Sequence, residues 1–129
     1  MNVVDFEDNI DIDDGTDALF DCEYSRVDDI INKVLIFTGV KEDVETENGP
    51  RTLIAFSEGP ERSAFFTDSR RLKEVACDPG RTYPFRAVIK VVKFGINFGF
   101  KFFSPNSKIT QEDQDNFEYY KKNKYRKNR

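Results

Sequence analysis

Residues 83–104, YPFRAVIKVVKFGINFGFKFFS, constrain the fold more than any other part of this chain. Apolar and polar side chains alternate over residues 84–94 and again over residues 96–103, which is the period of two typical of a strand buried on one face. Gly95 lies between the two strands, where a tight turn needs backbone freedom. Gly99 interrupts the second strand and predicts a bulge or a bend there. The stretch is therefore predicted to be a long hairpin in a curved sheet.

The two faces of this predicted hairpin differ in character. One face carries a continuous row of apolar side chains, while Arg86, Lys90 and Lys101 lie on the other face with Phe103 among them. A basic surface that holds an exposed aromatic ring is typical of proteins that bind nucleic acid. The hairpin thus gives the first indication of a function.

Composition limits the classes of protein that the chain can belong to. With 129 residues, thirteen Phe and five Tyr, the chain can build one aromatic-rich domain with tails. It contains no apolar run long enough to span a membrane and does not begin like a secretory signal, so we expect a cytoplasmic protein with no membrane partner. Because the chain has two Cys and no His, it lacks the common ligands of a zinc site and the commonest general base. We therefore expect no metal, no cofactor and no enzymatic activity.

The net charge of −4 conceals an asymmetry along the chain. Residues 1–29 contain eleven acidic side chains and one arginine, and are predicted to be an acidic N-terminal arm. Residues 30–105 carry a net charge of +3 and are predicted to form the folded domain. Residues 106–129 also carry +3 and are predicted to form a helix followed by a basic tail.

The remaining elements follow from local patterns. Strands are predicted at residues 33–43, 51–57 and 62–67, separated by turn signals such as Asn-Gly-Pro. Helical spacing predicts a short helix over residues 68–77, with Thr67 or Asp68 as its cap. A second helix is predicted over residues 110–123, where Thr110 can cap and Asp113 follows three residues later.

The order strand, strand, strand, helix, strand, strand predicts the fold class. It is the order of a five-stranded OB-fold barrel, in which a short helix lies between strands three and four. Gly39, in the middle of the first strand, fits a strand that must bend across both layers of such a barrel. We therefore expect a mostly-β protein, a five-stranded OB-fold barrel with an additional C-terminal helix.

The same residues resemble a family. Four motifs carry the resemblance: KVLIFTG at residues 33–39, AFFTDS at residues 64–69, YPFRAVI at residues 83–89, and the aromatic closing strand. Over residues 31–103 the chain resembles small OB-fold single-stranded-DNA-binding-like proteins of phage and bacterial replication or of mobile elements. The resemblance implies non-catalytic, sequence-tolerant binding of single-stranded DNA in replication, recombination or repair. Bacterial members usually end in an acidic tail, whereas this chain begins acidic and ends basic.

Binding of single-stranded nucleic acid needs cations that follow the phosphates and rings on which bases stack. The usual OB-fold site is the face of strands two and three with its neighbouring loops, which favours Arg51, Arg62 and Phe65. Lys93 is the fourth residue that this geometry favours. The complete set of predicted nucleic-acid-binding residues is Arg51, Arg62, Phe65, Arg70, Arg71, Tyr83, Arg86, Lys90, Lys93, Phe94, Lys101 and Phe103.

Other functions remain open at this stage. The chain could be an OB-fold protein-interaction module without nucleic-acid binding, and the acidic arm could hold a replication or recombination protein or lie over a basic groove. Exposed strand edges would also allow a homodimer. A metal-dependent hydrolase is the third alternative, for which the sequence offers only Asp11, Asp13 and Gly15 as a partial calcium-loop pattern.

Overall fold

The computed structural model describes residues 20–127, with side chains described through residue 123. The elements are β1 (Val34–Thr46), β2 (Gly49–Glu58), β3 (Glu61–Thr67), α1 (Arg70–Ala76), β4 (Phe85–Phe94), β5 (Asn97–Phe103) and α2 (Gln111–Lys127), preceded by a 3-10 turn at Val27–Asp29. The prediction of a mostly-β fold, with one short helix between the third and fourth strands and a C-terminal helix, is confirmed. In the described part of the chain, no helix is both long and apolar enough to cross a membrane.

The five strands form one antiparallel sheet in the order β3-β2-β1-β4-β5, curled into an OB-like half-barrel. The sheet curls because β1 pairs with β4 only from Val34 to Phe37 but continues along β2 to Thr46. The register of β1 against β2 shifts between Phe37 and Gly39, so the predicted bend at Gly39 is confirmed. Within residues 20–127, β3 and β5 are the two edges of the sheet and do not pair with each other.

The inner face of the sheet is filled with aromatic rings. Phe37 is completely buried, and its ring centroid lies 6.3 Å from that of Phe56, 5.4 Å from that of Phe85 and 5.0 Å from that of Phe102. Each of these rings comes from a different strand. They meet on Phe37 because β1 is the central strand, with β2 and β3 on one side of it and β4 and β5 on the other. The apolar rows that the sequence predicts therefore meet on one central side chain.

Part of the outer face is also buried, under the segment before β1. Phe20 packs with Leu53 and Ala64 in a second apolar cluster, and the Ser25 amide donates to the Ala64 carbonyl oxygen at 2.8 Å. We call residues 20–25 the strap. The arm was predicted to extend to residue 29, whereas the chain packs against the sheet from Phe20 onward, because an apolar outer face on β2 needs a cover.

Of the two features predicted at Gly99, a bulge or a bend, the bulge is not present. The pairing of β4 with β5 runs without a register shift from Val88 opposite Phe103 to Phe94 opposite Asn97. The Phe94 ring packs closely over Gly99, where a Cβ atom would lie 3.3 Å from the ring and would displace it slightly. Gly95 does take the positive φ of 65° that its predicted turn needs.

The C-terminal helix is attached to the sheet by a buried ion pair. Lys90 is 4% exposed, and its Nζ lies 2.8 Å from an Asp113 carboxylate oxygen on α2. The same Nζ donates to Ser107 Oγ at 2.7 Å and to the Lys108 carbonyl oxygen at 2.8 Å, so all three N–H groups of the ammonium have acceptors. Thr110 and Asp113 exchange the reciprocal hydrogen bonds of a capping box, as the sequence predicts.

This ion pair makes stability depend on acidification. Burial alone would raise the pKa of the Asp113 carboxyl, but hydrogen bonds from Lys90 and Thr110 outweigh it and hold the pKa below its ordinary value. A carboxyl group whose pKa is lower in the folded state than in the unfolded state stabilises the fold above its unfolded pKa of about 4. This stabilisation is lost as the pH falls through the lower pKa of the folded state. We expect the free energy of unfolding to decrease below about pH 4, and to decrease less steeply in Asp113→Asn. Urea titrations at a series of acidic pH values would measure both slopes.

Candidate functional site

A cleft of about 450 Å³ lies between β3 and β5, the two edges of the curled sheet. We call it the seam cleft, because it occupies the seam where a closed barrel would join these strands. Five different elements and the 3-10 turn contribute to it, so residues far apart in sequence come together here. Its lining residues are Val27, Arg51, Phe66, Thr67, Asp68, Ser69, Arg71, Phe98, Gly99, Phe100 and Tyr120.

Arg71 provides one cationic wall of the seam cleft. Its guanidinium carbon lies 3.5 Å from the centroid of the Phe94 ring, which in turn covers Gly99. This distance corresponds to flat stacking of the guanidinium on the ring, in which the N–H groups of its planar fork remain free to meet an anion. Among the described residues, no carboxylate forms an ion pair with Arg71. The start of α1 thus presents a fixed, unneutralised positive charge to the cleft.

Arg51 provides a second cation, held differently. Its Nε donates to Asp68 Oδ1 at 3.0 Å, and its guanidinium carbon lies 5.4 Å from the Phe66 ring centroid. Because Asp68 is engaged in this way, it does not cap α1, and Ser69 accepts the capping hydrogen bond from the Leu72 amide instead. Neither Thr67 nor Asp68 is therefore the cap, contrary to the sequence prediction. The Asp68 carboxylate offsets the charge of Arg51, so Arg71 is the stronger anion-binding group.

Aromatic rings line much of the rest of the seam cleft, and the sequence analysis did not select them. Phe98 and Phe100 extend from β5, and Tyr120 of α2 packs edge-on against Phe100 with centroids 5.2 Å apart. Phe66 lies on the face of β3 opposite to its neighbour Phe65. The alternation along β5 did place Phe98 and Phe100 on one face, and that was the only signal for them, since nothing local indicated a cleft.

Two predicted binding residues are corrected by burial. Phe65 is completely buried in the main core, because its cross-strand partner is Ile54 on the inner face of β2. Lys90 is buried with three acceptors around its ammonium group, as described above, so it is not available to a phosphate. A residue in an alternating strand can belong to either face, and in both cases the neighbouring elements determine the outcome.

Two further predicted rings are partly buried. The Tyr83 hydroxyl donates to the Ala76 carbonyl oxygen at 2.6 Å, and burial raises the pKa of this phenol well above its ordinary value. Phe103 lies between two ammonium groups, with Lys90 Nζ 4.8 Å and Lys101 Nζ 5.4 Å from its centroid. Neither ring lines the seam cleft, and both serve to join elements of the fold.

The other predicted cations are exposed but are not gathered at one place. Arg62 lines a separate cavity of about 200 Å³ whose walls include three glutamates and an aspartate. Arg86 lies at the opposite end of β4 from the cleft, roughly 25 Å along the strand. Arg70 and Lys101 do not line the cleft, whereas Lys93 is close to it as the cross-strand partner of Phe98. The structure therefore brings Arg51, Arg71 and Phe94 together and leaves the remaining cations apart.

The described residues offer little for metal or covalent chemistry. Within residues 20–127, no group of three or more Cys, Asp or Glu side chains could hold a metal ion. Cys22 and Cys77 are not joined in a disulfide, and burial raises the pKa of each thiol, so neither is an activated nucleophile. Asp11, Asp13 and Gly15 of the acidic arm lie outside the described residues.

The element order and the ring-lined seam define a small, mostly-β protein built on an OB-like half-barrel. The chain belongs to the DUF8468 family, a domain of unknown function, whose sequence profile matches residues 21–103. This range contains all five strands and α1, and it ends before α2. No curated protein and no solved structure matches the chain.

Proposed function

We propose that this protein binds single-stranded nucleic acid without catalysis, and that the seam cleft is the binding site. The observation that carries the proposal is the stacking of Arg71 on Phe94 at the wall of a cleft lined by further rings. A phosphate would meet the planar edge of the guanidinium, and a base would stack against the rings inside. A cation for a phosphate and rings for the bases, which binding of single-stranded nucleic acid requires, are thus present at one cleft.

The setting of the cleft also supports this proposal. The seam lies between β3 and β5, which do not pair with each other within residues 20–127, so room is left there for an extended chain. Stacking of one base on a ring contributes about 1–3 kcal/mol and tolerates any sequence. We infer a sequence-tolerant protein of replication, recombination or repair, in keeping with the resemblance of residues 31–103. Two cysteines that are not joined in a disulfide accord with a reducing, cytoplasmic location.

Replacement of Arg71 by alanine tests the site directly. We expect the affinity for a fluorescein-labelled oligo-dT to fall about tenfold at low salt, because a fixed phosphate contact is lost. The slope of log K against log salt should become shallower by about 0.7 for one lost contact to a single strand. Fluorescence anisotropy over a range of salt concentrations would measure both quantities.

Arg70→Ala is the matched control for this experiment. Arg70 is the neighbouring residue on α1, carries the same charge, is exposed and does not line the cleft. Its replacement should weaken binding by less than about twofold. Equal losses for Arg70→Ala and Arg71→Ala would place the site elsewhere, and no oligonucleotide binding by the wild-type chain at low salt would refute the proposal.

A protein-interaction module is the second candidate, and one observation favours it. The exposed cations Arg62, Arg86 and Lys101 belong to three different strands and do not line the seam cleft, and Phe65 is buried. The strap also covers part of the outer face of β2. The oligo-dT titration separates the two candidates, because a module that binds only proteins would show no salt-dependent anisotropy change.

A further inference from the structure

The exposed ring of Tyr119 on α2 packs against the ring of Phe98. It is 55% exposed, yet its ring centroid lies 5.0 Å from that of Phe98, with 38° between the two planes. Phe98 itself lines the seam cleft, and the next residue of the helix, Tyr120, lines it as well. The Phe98–Tyr119 pair is therefore continuous with the cleft and extends the aromatic lining of the cleft out to the surface.

The hairpin turn before Phe98 carries an exposed apolar side chain. Ile96 is 91% exposed at the tip of the β4–β5 hairpin, two residues before Phe98. Tight turns favour Gly, Asn, Asp and Ser at such positions, and Gly95 already supplies the required positive φ. Ile96 thus adds a large exposed aliphatic group at the turn that leads into the strand of Phe98.

Two exposed lysines lie near this surface, and the exposed Asp115 lies four residues before Tyr119 on the same helix. Lys93 is exposed and lies directly across the ladder from Phe98. Lys122 is exposed on α2, three residues after Tyr119. A ring and an aliphatic group bordered by lysines suit a strand of bases with its phosphates better than they suit an uncharged apolar surface.

We infer that the Phe98–Tyr119 pair, with Ile96 at its rim, is a stacking platform for a base next to those held in the seam cleft. This inference rests on the proposed function and adds to it a contact from α2, which lies outside the residues matched by the family. The DUF8468 domain supplies every lining residue of the cleft except Tyr120, and the C-terminal helix of this chain lengthens the footprint on the nucleic acid. Ile96, Phe98 and Tyr119 are not among the binding residues predicted from sequence.

Substitutions at the platform test this assignment. Tyr119→Ser is expected to weaken oligo-dT binding by roughly fivefold to tenfold, at the lower end of the range for a single stacked base. Ile96→Ser should weaken binding by about twofold to fivefold without a change in thermal stability, because the residue is almost fully exposed. Tyr119→Phe retains the ring and should bind like the wild-type protein. Val34→Ser, which removes an exposed aliphatic group on β1, is the control for Ile96.

A fluorescence reporter gives an independent measurement. The chain contains no tryptophan, so Tyr119→Trp creates a single reporter at the platform. Its emission should be quenched when oligo-dT saturates the protein, whereas a reporter at the control position, Val34→Trp, should not respond. Quenching at position 119 alone would support a base stacked on this ring.

The outcomes separate this inference from the proposed function. Wild-type affinity in Tyr119→Ser and Ile96→Ser, with an unquenched reporter, would overturn the platform even if Arg71→Ala loses binding, and would assign this surface to a protein partner. Absence of any oligonucleotide binding by the wild-type chain would instead refute the proposed function. Loss of binding in Tyr119→Ser with an unchanged thermal midpoint would support the platform.

Discussion

Replacement of Lys90 by methionine is expected to lower the free energy of unfolding by about 3–5 kcal/mol, since it leaves a buried carboxylate without its partner. The Asp113 side chain is only 13% exposed, and its Oδ2 lies 2.8 Å from Lys90 Nζ. Loss of the ammonium would also leave Ser107 and the Lys108 carbonyl without a donor. Urea unfolding followed by circular dichroism would give the free energy, provided that the m-value is unchanged.

Two further variants isolate the cost of the unpaired charge. Lys121→Met removes an ion pair of similar length, 3.0 Å to Glu118, from the more exposed surface of the same helix, and should cost less than about 1 kcal/mol. Lys90→Met combined with Asp113→Asn removes both charges and should be more stable than Lys90→Met alone. A cost below about 1 kcal/mol for Lys90→Met would mean that α2 is not held by this pair.

Replacement of Phe37 by alanine should cost about 3–5 kcal/mol, the range for a large ring removed from a packed core. The ring is completely buried and contacts aromatic rings of β2, β4 and β5. Its loss opens a cavity at the point where both halves of the sheet meet, and it also removes edge-on and stacked ring contacts. Thermal and urea unfolding of the variant would measure the cost.

Val34→Ala is the matched control on the same strand. Val34 is 49% exposed and should change the free energy of unfolding by less than about 0.5 kcal/mol. Phe37→Leu should lie between the two variants, because it keeps part of the buried volume. If Phe37→Ala proved as stable as Val34→Ala, the two halves of the sheet would not depend on a shared core.

The strands and helices could be predicted from sequence because their signals are local. Alternation over residues 84–94 and 96–103 is a property of neighbours in the chain, and so are the turn at Gly95 and the capping box of Thr110 and Asp113. The order of these elements was then enough to predict an OB-like arrangement, since few small folds place a single helix between the third and fourth strands.

The face to which each side chain belongs was harder to predict. Phe65 and Phe66 are adjacent, and the strand opposite them is apolar on both faces, with Leu53 and Ile54 both buried. Alternation therefore could not decide which ring points inward. Phe20 covers the outer face of the sheet, so Phe65 is the ring that points inward. The charge pattern had assigned Phe20 to the acidic arm.

By itself, the sequence determined where the strands and helices lie, because backbone periodicity, turns and caps depend on residues within a few positions of one another. Only the tertiary structure decided that Lys90 is buried and that Arg51 and Arg71 share one cleft, with Arg71 stacked on Phe94. Those outcomes depend on the curl of the sheet and on the packing of α2, which bring together groups many residues apart. A cationic side chain in an alternating strand has the same local pattern whether it meets a phosphate or a buried carboxylate, so its partner is known only once the fold has formed.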